Sequence, residues 1–182
     1  VDLKNSRVLA YGSVKAIDGD NEVNSTTADY DETGGIYSFS GNVSARLKPG
    51  KKVREETRII CDRMRLDNKT EGVEAEGNVS IWQKGKIITA KRFETMPKNN
   101  RTTMVISGNV MVLLDEAQQI FKKESIRKVR SRQAAAYLKE KTSITADTVR
   151  LSSINSNAYA EGNVIVAQKG RIAKSDIALY DE

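Results

Sequence analysis

The stretch that decides the fold reads Ala75-Glu76-Gly77-Asn78-Val79-Ser80-Ile81. Its centre, Gly-Asn-Val, recurs from residues 41, 108 and 162, and a weaker Gly-Ser-Val copy begins at residue 12. On both sides of each glycine, apolar and polar residues alternate with a period of two, which is typical of a strand with one buried face. Repeated copies of this unit predict an all-β fold.

The glycine of each unit is in phase with the apolar row, so we expect it at mid-strand on the inward face. There it would allow the sheet to curve or leave room for a ligand. A two-residue Gly-Asn hairpin turn is the alternative. Clearer turn signals at Asn68-Lys69, Lys84-Gly85 and Lys169-Gly170 separate strands of roughly ten residues.

A second type of strand alternates with the first. Its clearest copy is Ile144-Thr145-Ala146-Asp147, and similar strands surround Asp62, Lys91 and Asp176. The apolar positions of these strands change parity at that residue, as they would at a β-bulge. We therefore expect each of these strands to be bulged and to turn a corner there.

The composition excludes several classes of function. The 182 residues fit a single domain and include no histidine and one cysteine, Cys61. Imidazole acid–base chemistry and the commonest zinc sites are therefore absent, and we predict a non-enzyme without metal or cofactor. Cys61 is expected to be a small core residue. The sequence has no apolar run long enough for a spanning helix and no signal-peptide pattern at residues 1–4.

A basic segment interrupts the repeat at residues 118–141. Eight Lys and Arg residues and two Glu residues lie between residues 120 and 141, which accounts for the whole net charge of +6. Its composition favours a helix, a long loop or a crossover. A solvated surface is one interpretation; the other is contact with lipid headgroups or an anionic membrane surface through Lys122, Lys123, Arg127, Lys128, Arg130 and Arg132. No aromatic residues alternate with these cations, so nucleic acid is not an expected partner.

The alternation of Gly-Asn-Val units with Ile-x-Ala-Asp strands resembles the OstA-like family of lipopolysaccharide transport. Residues 144–147 and 160–164 match that pattern best, and the resemblance covers nearly all of the chain except about residues 115–142. By length the chain is similar to the periplasmic LptA-like bridge proteins; the N-terminal domain of the outer-membrane assembly protein shares the same repeats. The resemblance implies an open antiparallel β-jellyroll of long strands in the periplasm. It also implies lipopolysaccharide or a related glycolipid as cargo, and edge-to-edge assembly with copies of itself or with other jellyroll proteins of the transport complex.

The inward row is therefore predicted to form the lipid groove. Its residues are Phe39, Val43, Ala45, Leu47, Val79, Ile81, Ile106, Val110, Val112, Val164 and Val166. Small apolar residues beside Val and Ile fit acyl chains better than they fit one another. The alternative is a narrow sandwich that fills its own interior.

Residues 7–16 and 171–180 are the predicted joining edges. Unpaired strand edges must be protected by further chain or used for pairing, and pairing by β-augmentation fits a bridge. The competing function is a structural β-repeat scaffold of the solenoid type, without lipid cargo.

Overall fold

The computed structural model describes residues 6–49, 55–98, 101–116, 139–152 and 158–180. Within these ranges the backbone forms long strands joined by turns, because the alternating residues can bury one face of each strand. The strands are β1 (Arg7–Asp18), β2 (Asn21–Asp31), β3 (Ile36–Leu47), β4 (Thr57–Asp67), β5 (Gly72–Gln83), β6 (Lys86–Lys98), β7 (Arg101–Leu114), β8 (Thr142–Ser152), β9 (Ala158–Gln168) and β10 (Arg171–Tyr180).

All ten strands belong to one sheet, in the order β1 to β10. Every neighbouring pair is antiparallel, and β1 and β10 are its two edges. The described ranges contain no helix, hence none that could span a membrane. The predicted open, antiparallel, all-β fold is confirmed. None of these ten strands forms the parallel coils of a β-solenoid.

A two-residue bulge interrupts each Gly-Asn strand at its middle. Between β3 and β4, Gly41 and Asn42 together lie opposite the single residue Asp62. Gly41 and Asn42 both have left-handed backbone, with φ of +78° and +52°, a conformation that glycine and asparagine adopt more readily than other residues. The Gly-Asn pairs at residues 77, 108 and 162 have the same conformation. Gly-Asn is therefore not a hairpin turn.

The predicted bulge is confirmed, but its assignment to the aspartate strand was wrong. The extra residue belongs to the Gly-Asn strand. The aspartate strand changes the parity of its buried positions where it lies opposite the bulge. In β4, Cys61 and Met64 are buried, while Asp62 between them is exposed.

The expectation that the glycine points inward and leaves room for a ligand was also wrong. A Cβ added to Gly77 would lie 2.9 Å from the Cβ of Asp62, and one added to Gly162 would lie 2.9 Å from that of Asp147. Both aspartates are exposed. The missing Cβ therefore makes room for a side chain of the preceding strand on the outward surface.

Side-chain hydrogen bonds lock this arrangement. The Asn78 Nδ2 donates to Asp62 Oδ2 at 3.0 Å, and the Asn163 Nδ2 donates to Asp147 Oδ2 at 2.9 Å. We call the residue whose side chain lies against the glycine the covering residue. At Gly41 it is Thr26, whose Oγ1 donates a hydrogen bond to the glycine carbonyl at 3.1 Å. Bulge and covering residue thus fix the register of each strand pair.

The inward face of the sheet is the core. It forms one cluster of buried residues, among them Val23, Phe39, Val43, Ala45, Ile59, Cys61, Met64, Ala75, Val79, Ile81, Ile88, Phe93, Ile106, Val110, Val112, Leu114, Ala146, Val149, Ala160 and Val164. The described ranges contain no second sheet or helix that could cover this face. We infer that the two halves of the sheet on either side of the bulges face one another.

Gly77→Ala should destabilise the protein more than Gly170→Ala. The two glycines share nearly the same φ, +74° and +75°, but an added Cβ meets nothing within 4 Å at Gly170. Gly170→Ala should therefore cost only the left-handed strain, about 1 kcal/mol. Gly77→Ala should cost roughly 2 kcal/mol more because of the steric conflict with Asp62. Urea unfolding of both variants measures the difference; equal losses would contradict the bulge packing.

Candidate functional site

All of the predicted groove residues lie together on the inward face. Phe39, Val43, Ala45, Val79, Ile81, Ile106, Val110, Val112 and Val164 belong to its buried cluster. Leu47 and Val166 are partly buried and pack against that cluster. The structure therefore places them as one surface; their contact with lipid stays a prediction.

The centre of this surface is filled by its own side chains. Val43 is 0% exposed and Ile106 is 1% exposed, which leaves water no access there. The self-filled sandwich considered from the sequence therefore describes the centre. Accessible apolar surface lies around it, on partly buried residues that include Ala16, Tyr37, Leu66, Met104, Ile144, Leu151, Val166 and Ala178.

Aromatic residues gather at one end of the inward face. The rings of Tyr30 and Tyr37 stack with their centroids 4.2 Å apart, and Tyr37 also stacks with Phe39 at 6.4 Å. Burial raises the pKa of Tyr30, and the neighbouring Tyr37 adds to the shift. This end, beside the β2–β3 turn, is the more aromatic part of the surface.

The outward face carries ion pairs between neighbouring strands. Ion pairs cross neighbouring strands between Arg63 and Glu76 at 3.2 Å and between Arg150 and Glu161 at 2.9 Å. These side chains are largely exposed, so each pair contributes only about 0–1 kcal/mol. Apolar side chains lie on this face as well, since Ile87, Met111 and Leu113 are exposed there.

A cavity of about 470 Å³ lies at the opposite end from the aromatic stack. Its lining residues are Trp82, Gln83, Gly85, Lys86, Ile87, Leu113, Leu114, Asp115, Lys141, Thr142, Ser143 and Ala167. Sequence reasoning missed Lys86, because a lysine directly after a Lys-Gly turn is typical of a solvated loop. Among the described residues, no cluster of carboxylates and thiols could hold a metal ion.

Both edge strands carry exposed apolar side chains. On β1 these are Val8, Leu9, Tyr11 and Ile17, and on β10 they are Ile172, Ile177 and Leu179. The predicted headgroup residues Lys122, Lys123, Arg127, Lys128, Arg130 and Arg132 lie outside the described residues. So does the segment 118–141 apart from residues 139–141, which precede β8.

No protein-family model matches the chain, and no curated protein matches its sequence. One solved structure to which the chain is similar is LptH, the LptA-homologous periplasmic component of the conserved lipopolysaccharide transport device of Pseudomonas aeruginosa. The alignment has 14% identity and a TM-score of 0.48, and it covers 56% of this chain and 73% of that chain. A likeness at this level carries no weight for ligand or partner.

Cys61 should be unreactive in the folded protein. It is 2% exposed, and burial, with the nearby Asp62 charge, raises the pKa of its thiol to about 11. A thiol-specific reagent at pH 8 should label it only after unfolding, because the thiolate is the reactive form.

The same raised pKa makes stability depend on pH. As the pH rises, the Cys61 thiol ionises at a lower pH in the unfolded chain than in the folded protein. The contribution of the neutral, buried thiol to the free energy of unfolding is therefore complete below about pH 8.5 and is lost as the pH rises through about 11. Cys61→Ala should remove that part of the alkaline loss. Urea unfolding at pH 8 and pH 11 of both proteins tests this; equal alkaline losses in the two would contradict it.

Proposed function

We propose that this chain binds lipopolysaccharide or a similar glycolipid along its inward face, and that copies joined edge to edge carry the lipid across the periplasm. One observation carries the proposal. One cluster of buried and partly buried apolar residues spans the inward face of an open sheet from β1 to β10. The choice of a glycolipid follows the sequence resemblance.

Acyl chains gain free energy on such a surface. Each methylene group that leaves water for an apolar surface contributes about 0.8 kcal/mol. The sheet has two open edges, so its halves can part at the bulges without breaking the hydrogen bonds between strands. Lipid chains would then continue from the accessible residues at the margins into the centre.

Photo-crosslinking from adjacent residues of β9 tests lipid binding. Val166 lies in the inward row and Ile165 on the outward face, and both are partly buried. Benzoylphenylalanine at Val166 should form an adduct with added lipopolysaccharide, because acyl chains lie on that face. The same probe at Ile165 should form little. Equal adducts at both positions, or none at Val166, would reject lipid binding and favour the scaffold without cargo.

The two edges support assembly through their exposed apolar residues. Tyr11 of β1 is 75% exposed and Leu179 of β10 is 67% exposed. Edge strands also offer unpaired backbone N–H and C=O groups. Addition of a strand from a second copy would satisfy those groups and cover the apolar side chains.

The interior of the sheet supplies a register for this junction. Four pairs of neighbouring strands inside the sheet share one register. In each pair, the residue that follows the covering residue lies opposite the residue that precedes the glycine, as Thr148 lies opposite Glu161. In β1, Gly12 has no covering residue, and a Cβ there meets nothing within 4 Å. In β10, Asp176 occupies the covering position at the bulge. A second copy's Gly12 placed beside Asp176 would continue the pattern.

This register brings the exposed residues of the two edges together. The resulting pairs are Ile177 with Tyr11, Leu179 with Leu9, Ile172 with Ile17, Ala178 with Ala10, Ala173 with Ala16, and Arg171 with Asp18. One pair, Lys174 with Lys15, is repulsive. The Glu22 carboxylate lies 2.9 Å from the Lys15 Nζ and offsets that repulsion.

Engineered disulfides test the register. In a Cys61→Ala background, Leu9→Cys with Leu179→Cys should oxidise to a ladder of covalent oligomers. Directly opposite residues have Cα atoms roughly 4.5–5.5 Å apart, which suits a disulfide.

The matched control is Leu9→Cys with Ile172→Cys, which replaces an equally exposed residue of the same strand. It should remain monomeric on a non-reducing gel. Equal cross-linking of both pairs would mean that collisions have no fixed register, and absence from both would reject the junction.

A further inference from the structure

From β2 to β9, Lys86 is the one charged residue among the described side chains of the inward row. Lys86 pairs with Gln83 across β5–β6 and with Leu114 across β6–β7. Leu114 is 3% exposed, and directly opposite residues of an antiparallel pair share one face. The Lys86 side chain therefore belongs to the apolar inward face, at its outermost layer.

The polar residues beside Lys86 are hydrogen-bonded to one another. The Gln83 Nε2 donates to Thr57 Oγ1 at 2.9 Å, and in the equivalent place the Gln168 Nε2 donates to Thr142 Oγ1 at 3.0 Å. Thr57 and Thr142 are buried. The end of the inward face is thus an ordered polar layer, and Lys86 lies within it.

Lys86 itself has no close counter-ion within the described ranges. The attraction of Glu55 acts on it from beyond ion-pair distance, and burial lowers the pKa of the Lys86 ammonium against that attraction. A partly buried ammonium without an ion pair costs free energy. An anion placed against Lys86 would recover that cost.

The cavity at this end can hold such an anion. Its volume of about 470 Å³ is within the usual range of small-molecule sites. Lys86, Lys141 and Asp115 are its charged lining residues, which leaves a net positive charge. Leu114 of the inward row supplies one apolar wall, and Trp82, Ile87 and Leu113, which are paired in one outward row, supply the other. The cavity therefore lies at the end of the sheet, where its lining joins both faces.

The sequence places a second cation at the same end. Gln83-Lys84-Gly85-Lys86 and Gln168-Lys169-Gly170-Arg171 follow equivalent strands. Arg171 pairs with Gln168 as Lys86 pairs with Gln83. The opposite end of the inward face holds the Tyr30–Tyr37 stack instead, so the two ends of the groove differ in charge.

We propose that this cavity binds the phosphate group of a lipid headgroup, with Lys86 as the residue that contacts it. The proposal rests on the lipid-binding function above and gives the bound lipid a direction. Its phosphate lies at the Lys86 end, and its acyl chains run along the inward row toward the aromatic end.

Trp82 is the only tryptophan of the chain and lines the cavity, so its fluorescence reports binding there. The full chain is titrated with dihexanoyl phosphatidic acid, with dihexanoylglycerol and with inorganic phosphate, all as monomers in solution. Phosphatidic acid should change the Trp82 emission at the lowest concentration. Lys86→Met should weaken its binding by about tenfold or more, the effect of losing a charge-assisted hydrogen bond, and Lys86→Arg should largely restore it.

Lys84→Met is the matched control, because Lys84 is exposed in the same turn. It should bind phosphatidic acid like the unaltered chain. Lys86→Met should be as stable to urea as the unaltered chain, because it removes an unpaired charge from an apolar face. A marked loss of stability would make Lys86 structural and overturn the proposal.

The remaining outcomes separate the two proposals. Equal binding of phosphatidic acid and dihexanoylglycerol, or equal weakening by Lys84→Met, would overturn the phosphate site and leave lipid binding intact. Inorganic phosphate binding as tightly as phosphatidic acid would make this a site for free phosphate, which also overturns it. No binding of either lipid, together with no adduct at Val166, would reject the proposed function itself.

Discussion

The structure depends on one steric fit: a glycine without a Cβ accepts the side chain of the preceding strand. Four interior glycines make this fit, with Thr26, Asp62, Lys91 and Asp147 as the covering residues. The fit forces two residues to lie opposite one, and the left-handed Gly-Asn backbone accommodates them. Because the fit recurs at mid-strand, the bulges cross the whole sheet in line.

Both faces of the sheet follow from that line of bulges. The covering residues and the ion pairs occupy the outward face, while apolar residues before and after each bulge stay on the inward face. The same fit underlies the proposed junction between the edges. Gly12 lacks a covering residue, and Asp176 lacks a glycine to cover. The proposed lipid-binding surface and the proposed assembly edges thus share one structural origin.

Much of this was predictable from the sequence. The inward row was predictable because every second residue of a Gly-Asn strand stays apolar on both sides of the bulge. Phe39 and Val43, which lie on either side of Gly41, are both buried. The direction of the glycine was not predictable, since alternation cannot reveal a positive φ. Which strand holds the extra residue was hidden for a similar reason, because the parity change appears on the partner strand.

Lys86 shows another limit of sequence patterns. Its neighbours in sequence, Gly85 and Lys84, indicate a solvated turn, and only its pairing with Leu114 places it on the inward face. Charged residues at the end of a buried row are read as loop residues unless the register is known. The place of Lys86 in the inward row could therefore be assigned only from the strand pairing.

Lipid contact on the inward face is the central claim, and intermolecular nuclear Overhauser effects measure it most directly. The protein would carry labelled methyl groups on Ile, Leu, Val and Met. Contacts from acyl methylenes to Met104, Leu151 and Val166, with none to the outward residues Met111 and Ile165, are the predicted result. Contacts to Met111 and Ile165 that equal or exceed those to the inward methyls would contradict the account.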